Sequence, residues 1–105
     1  MRRFRLWEDY LVESLKDPEE ALGYLNAALR DGDERVFLLA LAHVAKAHGG
    51  FSRLARLSKL HRVNLHRILS KTGNPELKSL TGILKALGLK LAIVSSSPPK
   101  LRKAA

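Results

Sequence analysis

Apolar residues recur along most of this chain every three or four positions, the period of a helix that buries one face. Trp7, Leu11 and Leu15 share one such stripe, with Tyr10 beside them and acids between, which predicts a short amphipathic helix over residues 6–16. Asp17-Pro18-Glu19-Glu20 opens a second: Asp17 is the N-cap, Pro18 suits the first helical position and Glu20 completes a capping box. Leu22, Leu25 and Leu29 line its face as far as Asp31-Gly32. Asp33 caps a third helix running to about His48, in which Phe37, Ala40, Leu41 and Val44 form a stripe widened by Leu38 and Ala45. Gly49-Gly50 ends it.

The second half is cut more finely. Ser52 is expected to cap a short helix over 53–57, and after a turn over 58–61 a further helix, 62 to about 71, buries Leu65, Ile68 and Leu69. Gly73-Asn74-Pro75 breaks the chain again, and a last helix over about 77–87 turns Leu80, Ile83, Leu84 and Leu87 inward. Leu89, Leu91 and Ile93 then alternate with Lys90, Ala92 and Val94, the period of a short strand. The pattern predicts an all-α protein: a five-helix helix-turn-helix repressor-like domain (33–94) with an N-terminal helical extension (1–32) and a short C-terminal strand. Residues 95–105, with Pro98-Pro99 and then Lys100, Arg102 and Lys103, are expected to form a disordered basic tail.

Composition narrows the function. A chain of 105 residues has room for one modest core, and with no cysteine it can form neither a disulfide nor a thiolate-held metal site. A reducing cytoplasm is the expected setting. No apolar run approaches the roughly 18 to 20 residues of a membrane span. The charge is unevenly placed: residues 1–50 carry seven Lys/Arg and nine Asp/Glu, whereas residues 51–105 carry twelve Lys/Arg and Glu76 alone among acids. A polyanion would therefore meet the second half. His43, His48, His61 and His66 fall in two pairs five apart, about 140° around a helix, so no metal site is expected. Glu8, Asp9 and Glu13 have neither a histidine nor a phosphate loop beside them, and no catalytic residue or cofactor is implied.

Within the basic half, residues 51–68 read as two short helices around a tight turn, a helix-turn-helix. Leu54, Ala55, Leu60, Leu65 and Ile68 are its inner residues. Arg62, Val63, Asn64, His66 and Arg67 are left on the outer side of the second helix as candidate readers of base edges: arginine offers a fork to guanine, asparagine to adenine, and valine packs on a thymine methyl. Ser52, Arg53, Lys59, Lys71 and Lys78 are candidate phosphate contacts around it. Duplex DNA is thus the expected partner, and the two-fold symmetry of such operators implies a homodimer. Leu91 and Ile93 would form its interface through strand pairing, unless that strand folds back on its own domain.

Asp17-Pro18-Glu19-Glu20, Tyr24-Leu25-Asn26-Ala27-Ala28-Leu29 and Val44-Ala45-Lys46-Ala47-His48-Gly49-Gly50 resemble the addiction-module antidote proteins, the HigA-like antitoxins. So do Ser52-Arg53-Leu54-Ala55, the stretch Asn64 to Ser70, Gly73-Asn74-Pro75 and Leu84-Lys85-Ala86-Leu87-Gly88-Leu89; the likeness covers about residues 9–94. His61 stands where such proteins usually carry a Ser or Thr cap. The resemblance implies a dimeric repressor of its own operon that neutralises a toxin of the RelE/ParE-like superfamily. The slightly acidic N-terminal half, with Trp7, Tyr10 and Leu11, is the expected toxin contact, since a toxin that handles RNA presents a basic surface, unless Trp7 and Tyr10 are buried in the protein's own core. A stand-alone repressor and a non-specific nucleic-acid-binding protein are the alternatives. The basic half has Phe51 as its one aromatic residue, which argues against stacking on single strands.

Overall fold

The computed structural model describes the backbone of residues 2–70 and 72–96, and side chains from Leu6 onward within them. Six helices form among these residues: α1 (Arg2–Ser14), α2 (Pro18–Asp31), α3 (Glu34–Ala47), α4 (Gly50–Ser58), α5 (Arg62–Ile68) and α6 (Leu77–Ala86). The two aspartate caps act as the sequence predicts. Asp17 Oδ1 accepts the Glu19 N–H at 2.9 Å, with Pro18 in the first helical position, and Asp33 Oδ1 accepts the Arg35 N–H at 2.9 Å. Arg35 also folds its guanidinium back to Asp33 Oδ2 at 3.1 Å, and this hydrogen bond holds the exposed carboxyl below the usual carboxylate range.

Helix α3 is the axis of the fold. Phe37, Leu38, Ala40, Leu41, Ala42, His43, Val44 and Ala45 are all buried, too many for one face, so α3 needs cover on several sides. The helices α1, α2 and α4 pack directly on it. The buried cluster continues from Leu15, Leu25 and Leu41 through Leu54 and Leu65 to Ile83 and Leu84, so the extension and the second half share one core.

Two expectations fail. Four helices, not five, follow Asp33, because among the described residues only the breaks at Gly49, at the Lys59–His61 turn and around Gly73–Pro75 divide that stretch. No strand forms over 89–94. Helix α6 closes instead with Gly88 in the left-handed region, its N–H on the Lys85 carbonyl at 3.0 Å and the Leu89 N–H on the Leu84 carbonyl at 2.7 Å, a Schellman closure. Leu89 is thereby spent on the cap. The residues after it meet helices, whose backbone groups are already paired and offer no ladder. Ile93 is fully exposed, and Leu91 lies at the rim of a groove of about 310 Å³ with Leu29, Phe37, Leu38 and Leu80. Of the expected disordered tail, residues 97–105 lie outside the described residues.

Two histidines serve the interior. The Tyr24 hydroxyl and His43 Nδ1 share a hydrogen bond of 2.8 Å between α2 and α3, and burial pushes the His43 pKa below its ordinary value. His48 Nε2 lies 2.8 Å from the Leu15 carbonyl; a carbonyl can only accept, so the ring donates. Glu8 and Lys46, 2.8 Å apart, complete the attachment of α1 to α3.

A histidine with a depressed folded pKa withholds a proton that the unfolded chain takes up, so its contribution is intact above the unfolded value, near 6.5, and lost as pH falls below it. The stability advantage of the wild-type chain over His43→Gln is expected to shrink between about pH 7 and about pH 5. Urea unfolding at the two pH values measures it; an unchanged advantage refutes the assignment.

Candidate nucleic-acid interface

Helices α4 and α5 meet through Leu54, Leu65 and Leu69, all buried, with Ala55 half-buried where the two approach. The turn between them is tight: Lys59 adopts φ 63, a left-handed conformation costly for a residue with a Cβ, and Leu60 folds against the core behind it. His61 caps α5 in extended conformation but forms no side-chain cap hydrogen bond, so the first amides of α5 are left unpaired by it. Past Leu69 the chain turns back hard. A Cβ on Gly73 would lie 1.9 Å from the Ile68 carbonyl oxygen, so only glycine lets the exit loop lie this close to the last turn of α5. The Ser70 hydroxyl is occupied in the same place, donating to the Arg67 carbonyl at 2.7 Å.

Leu65 is fully buried, whereas Arg62, Val63, His66 and Arg67 of the same helix are exposed, Val63 at 78%, and Asn64 lies half-buried on the flank. These are the five residues singled out as base readers, and one helix carries them all. They are not equally free. Arg67 Nη2 donates to Asn64 Oδ1 at 3.2 Å, so these two side chains are oriented as a pair. The His66 ring packs on Phe51 of α4, ring centroids 4.5 Å apart and planes at 49°. Phe51 is a residue the sequence reading missed as part of this face. Its signal was its position three residues before Leu54, on the same side of α4.

The phosphate candidates divide. Arg53, Lys59 and Lys78 are exposed on α4, in the turn and on the first turn of α6, and Lys71 lies outside the described residues. Ser52 is exposed but is not a cap: Gly49 starts α4 three residues earlier than expected, because two left-handed residues, Gly49 at φ 102 and Gly50 at φ 83, turn the chain from α3 directly into the next helix. Arg53 Nη1 donates to the His48 carbonyl at 3.1 Å.

Two other surfaces bear on partners. On α1, Leu6, Trp7 and Tyr10 project outward, Trp7 at 59% and Tyr10 at 81% exposure, while Leu11 turns half-buried towards the core. At the other end Leu91 and Ile93 are exposed. Among the described residues no helix is long and apolar enough to cross a membrane, and no three His, Asp or Glu side chains gather as a metal-ligand set.

Residues 7–95 match a family described as probable addiction module antidote protein. A Haemophilus influenzae protein that carries the description "Uncharacterized protein" is 34% identical over 86 residues, which are 82% of this chain and 88% of that one. No solved structure matches the chain.

The close approach at Gly73 is directly testable. Gly73→Ala forces a methyl group into a backbone carbonyl that cannot swing aside as a side chain would, and is expected to lower stability by at least about 2 kcal/mol. Thermal unfolding measures the loss, and a near-neutral result would mean that the exit loop sits elsewhere.

Proposed function

The chain belongs to the probable addiction module antidote family, and from that premise we propose that it is the antitoxin of a type II toxin–antitoxin module. It acts by binding, not by catalysis: it neutralises a RelE/ParE-like toxin and, as a homodimer in the cytoplasm, represses its own operon by sequence-specific binding of duplex DNA. One observation carries the DNA-binding half of this reading. The helix that follows a tight turn exposes Arg62, Val63, His66 and Arg67 in the basic half of the chain, while Leu65 of the same helix is fully buried.

The residue roles follow from chemistry. Arg62 offers a bidentate fork to guanine and Val63 an apolar face to a thymine methyl. Arg67 and Asn64 approach the bases as a hydrogen-bonded pair, and His66 does so backed by Phe51. Arg53, Lys59, Lys71 and Lys78 hold phosphates, with Ser52 beside them. On the toxin side, the α1 patch supplies the aromatic anchors that concentrate binding energy at interfaces, in the half of the chain with the acidic balance suited to a basic RNA-handling partner.

Arg62→Ala is expected to weaken binding to the operator upstream of the gene by about 1 to 3 kcal/mol and to affect a scrambled duplex much less. Lys59→Ala should weaken both alike and lower the salt slope by about 0.9 for each phosphate the lysine neutralises. Fluorescence-anisotropy titrations at two salt concentrations separate the two classes. Equal losses on both duplexes for Arg62→Ala would identify a non-specific nucleic-acid-binding protein instead.

On the toxin side, Trp7→Ala and Tyr10→Ala should each weaken binding of the protein encoded beside this gene by about 2 kcal/mol. The exposure of Tyr10 predicts little change in unfolding temperature for Tyr10→Ala. Calorimetric titration with that neighbour tests the patch, and unchanged affinity in both variants removes α1 from the interface.

A further inference from the structure

His48 occupies the corner where α3 ends and α4 begins, and it is engaged at both of its ends. Its ring donates from Nε2 to the carbonyl of Leu15, a buried residue immediately after α1. Its own carbonyl accepts from the Arg53 guanidinium at 3.1 Å. Between the two lies Gly49, at φ 102, across whose bare Cα the Arg53 side chain is folded: a Cβ there would lie 2.4 Å from Arg53 Cδ. The backbone angle favours glycine here, and its bare Cα leaves room for the Arg53 side chain to lie across it.

We infer that His48 is a positioning residue that couples α1 to duplex binding, by holding Arg53 in its phosphate-binding orientation. The inference rests on the DNA-binding reading proposed above. A guanidinium has five N–H donors, and the His48 carbonyl uses one nitrogen, so others remain for a phosphate. A fork already held by one arm loses less freedom when it closes on its target, which is a gain in affinity without any added interaction. The His48 ring fixes the corner only while Leu15, and with it the end of α1, is in place. The arm assigned to the toxin and an arginine assigned to the operator therefore meet in one residue. Linkage makes the effect reciprocal: duplex bound through Arg53 must tighten the end of α1 by the factor that docked α1 strengthens duplex binding.

The test uses the full-length chain and a duplex of about 30 base pairs of mixed sequence, because a phosphate contact does not require the operator. Arg53→Ala should weaken binding roughly threefold to tenfold and lower the salt slope by about 0.9. His48→Ala should weaken binding within the same range but leave the salt slope nearly unchanged, because the arginine charge remains, and the double variant should be no weaker than Arg53→Ala alone. His48→Gln, which retains a side-chain N–H for the Leu15 carbonyl, should recover most of the loss, and guards against a misfolded His48→Ala. Hydrogen exchange reads the other direction: duplex should slow exchange of the Leu15 and Lys16 amides in the wild-type chain and leave them unchanged in Arg53→Ala. If the two single losses multiply in the double variant, or His48→Ala binds as the wild type does, the coupling is overturned while DNA binding stands. A wild-type chain that binds no duplex overturns both.

Discussion

A helix that is apolar on most of its circumference cannot end a fold; it has to be enclosed. Helix α3 is such a helix, and enclosing it determines where everything else lies. Helix α2 lies along it and leads into it through the tight corner at Gly32-Asp33, α1 covers a second side, and α4 leaves from its C-terminal end. Each of these helices has one face left over. What remains exposed is the set of faces that enclosing α3 did not use: the outer side of α1, and, one layer further out, the outer side of α5.

This arrangement explains why so few polar groups lie inside and why those few are paired. Tyr24 and His43 satisfy one another where α2 meets α3, and among the described residues no buried side-chain nitrogen or oxygen lacks a partner. The attachment of α1 differs in kind. Leu11 and Leu15 give it apolar contact with the core, and beside them stand an ion pair from Glu8 to Lys46, half exposed and hence worth little, and the histidine bond to the Leu15 carbonyl. Among the described residues, α1 is also the helix that shows large aromatic side chains, Trp7 and Tyr10, to solvent.

Much of this was legible in the sequence because it was written in local rules. Asp17-Pro18 and Asp33 announced two helix starts, and both caps are made. The stripe from Phe37 to Ala45 named the core helix, and the spacing of Leu54, Leu65 and Leu69 placed α4 against α5 with the polar residues of α5 outward. What was not legible depends on contacts between segments. Alternation over 89–94 is a real strand pattern, but a strand exists only where an edge is free to pair, and periodicity carries no information about edges. Ser52 has the chemistry of a cap; its place was taken by Gly49, whose left-handed backbone serves two helices at once. The pairing of Phe51 with His66 and of His48 with Leu15 joins residues 15 and 33 positions apart, beyond the reach of any helical period.

The two histidine pairs show how spacing and role come apart. His43 and His48 lie five residues apart on and just beyond α3, too far around the helix to share a ligand, and that geometry gives them different neighbours: one faces α2, the other the end of α1. His61 and His66 repeat the spacing across α5, where one starts the helix without capping it and the other packs on an aromatic ring. In His43, His48 and His66 the imidazole acts as a flat, short side chain that hydrogen-bonds or stacks at a junction between helices. Three of the four thus sit where α2, α1 and α4 contact their neighbours, and the fourth begins the helix that faces outward. Junctions are where an isolated polar group can be both partly buried and satisfied, which is why a chain with so apolar an axis still places histidines in and beside it.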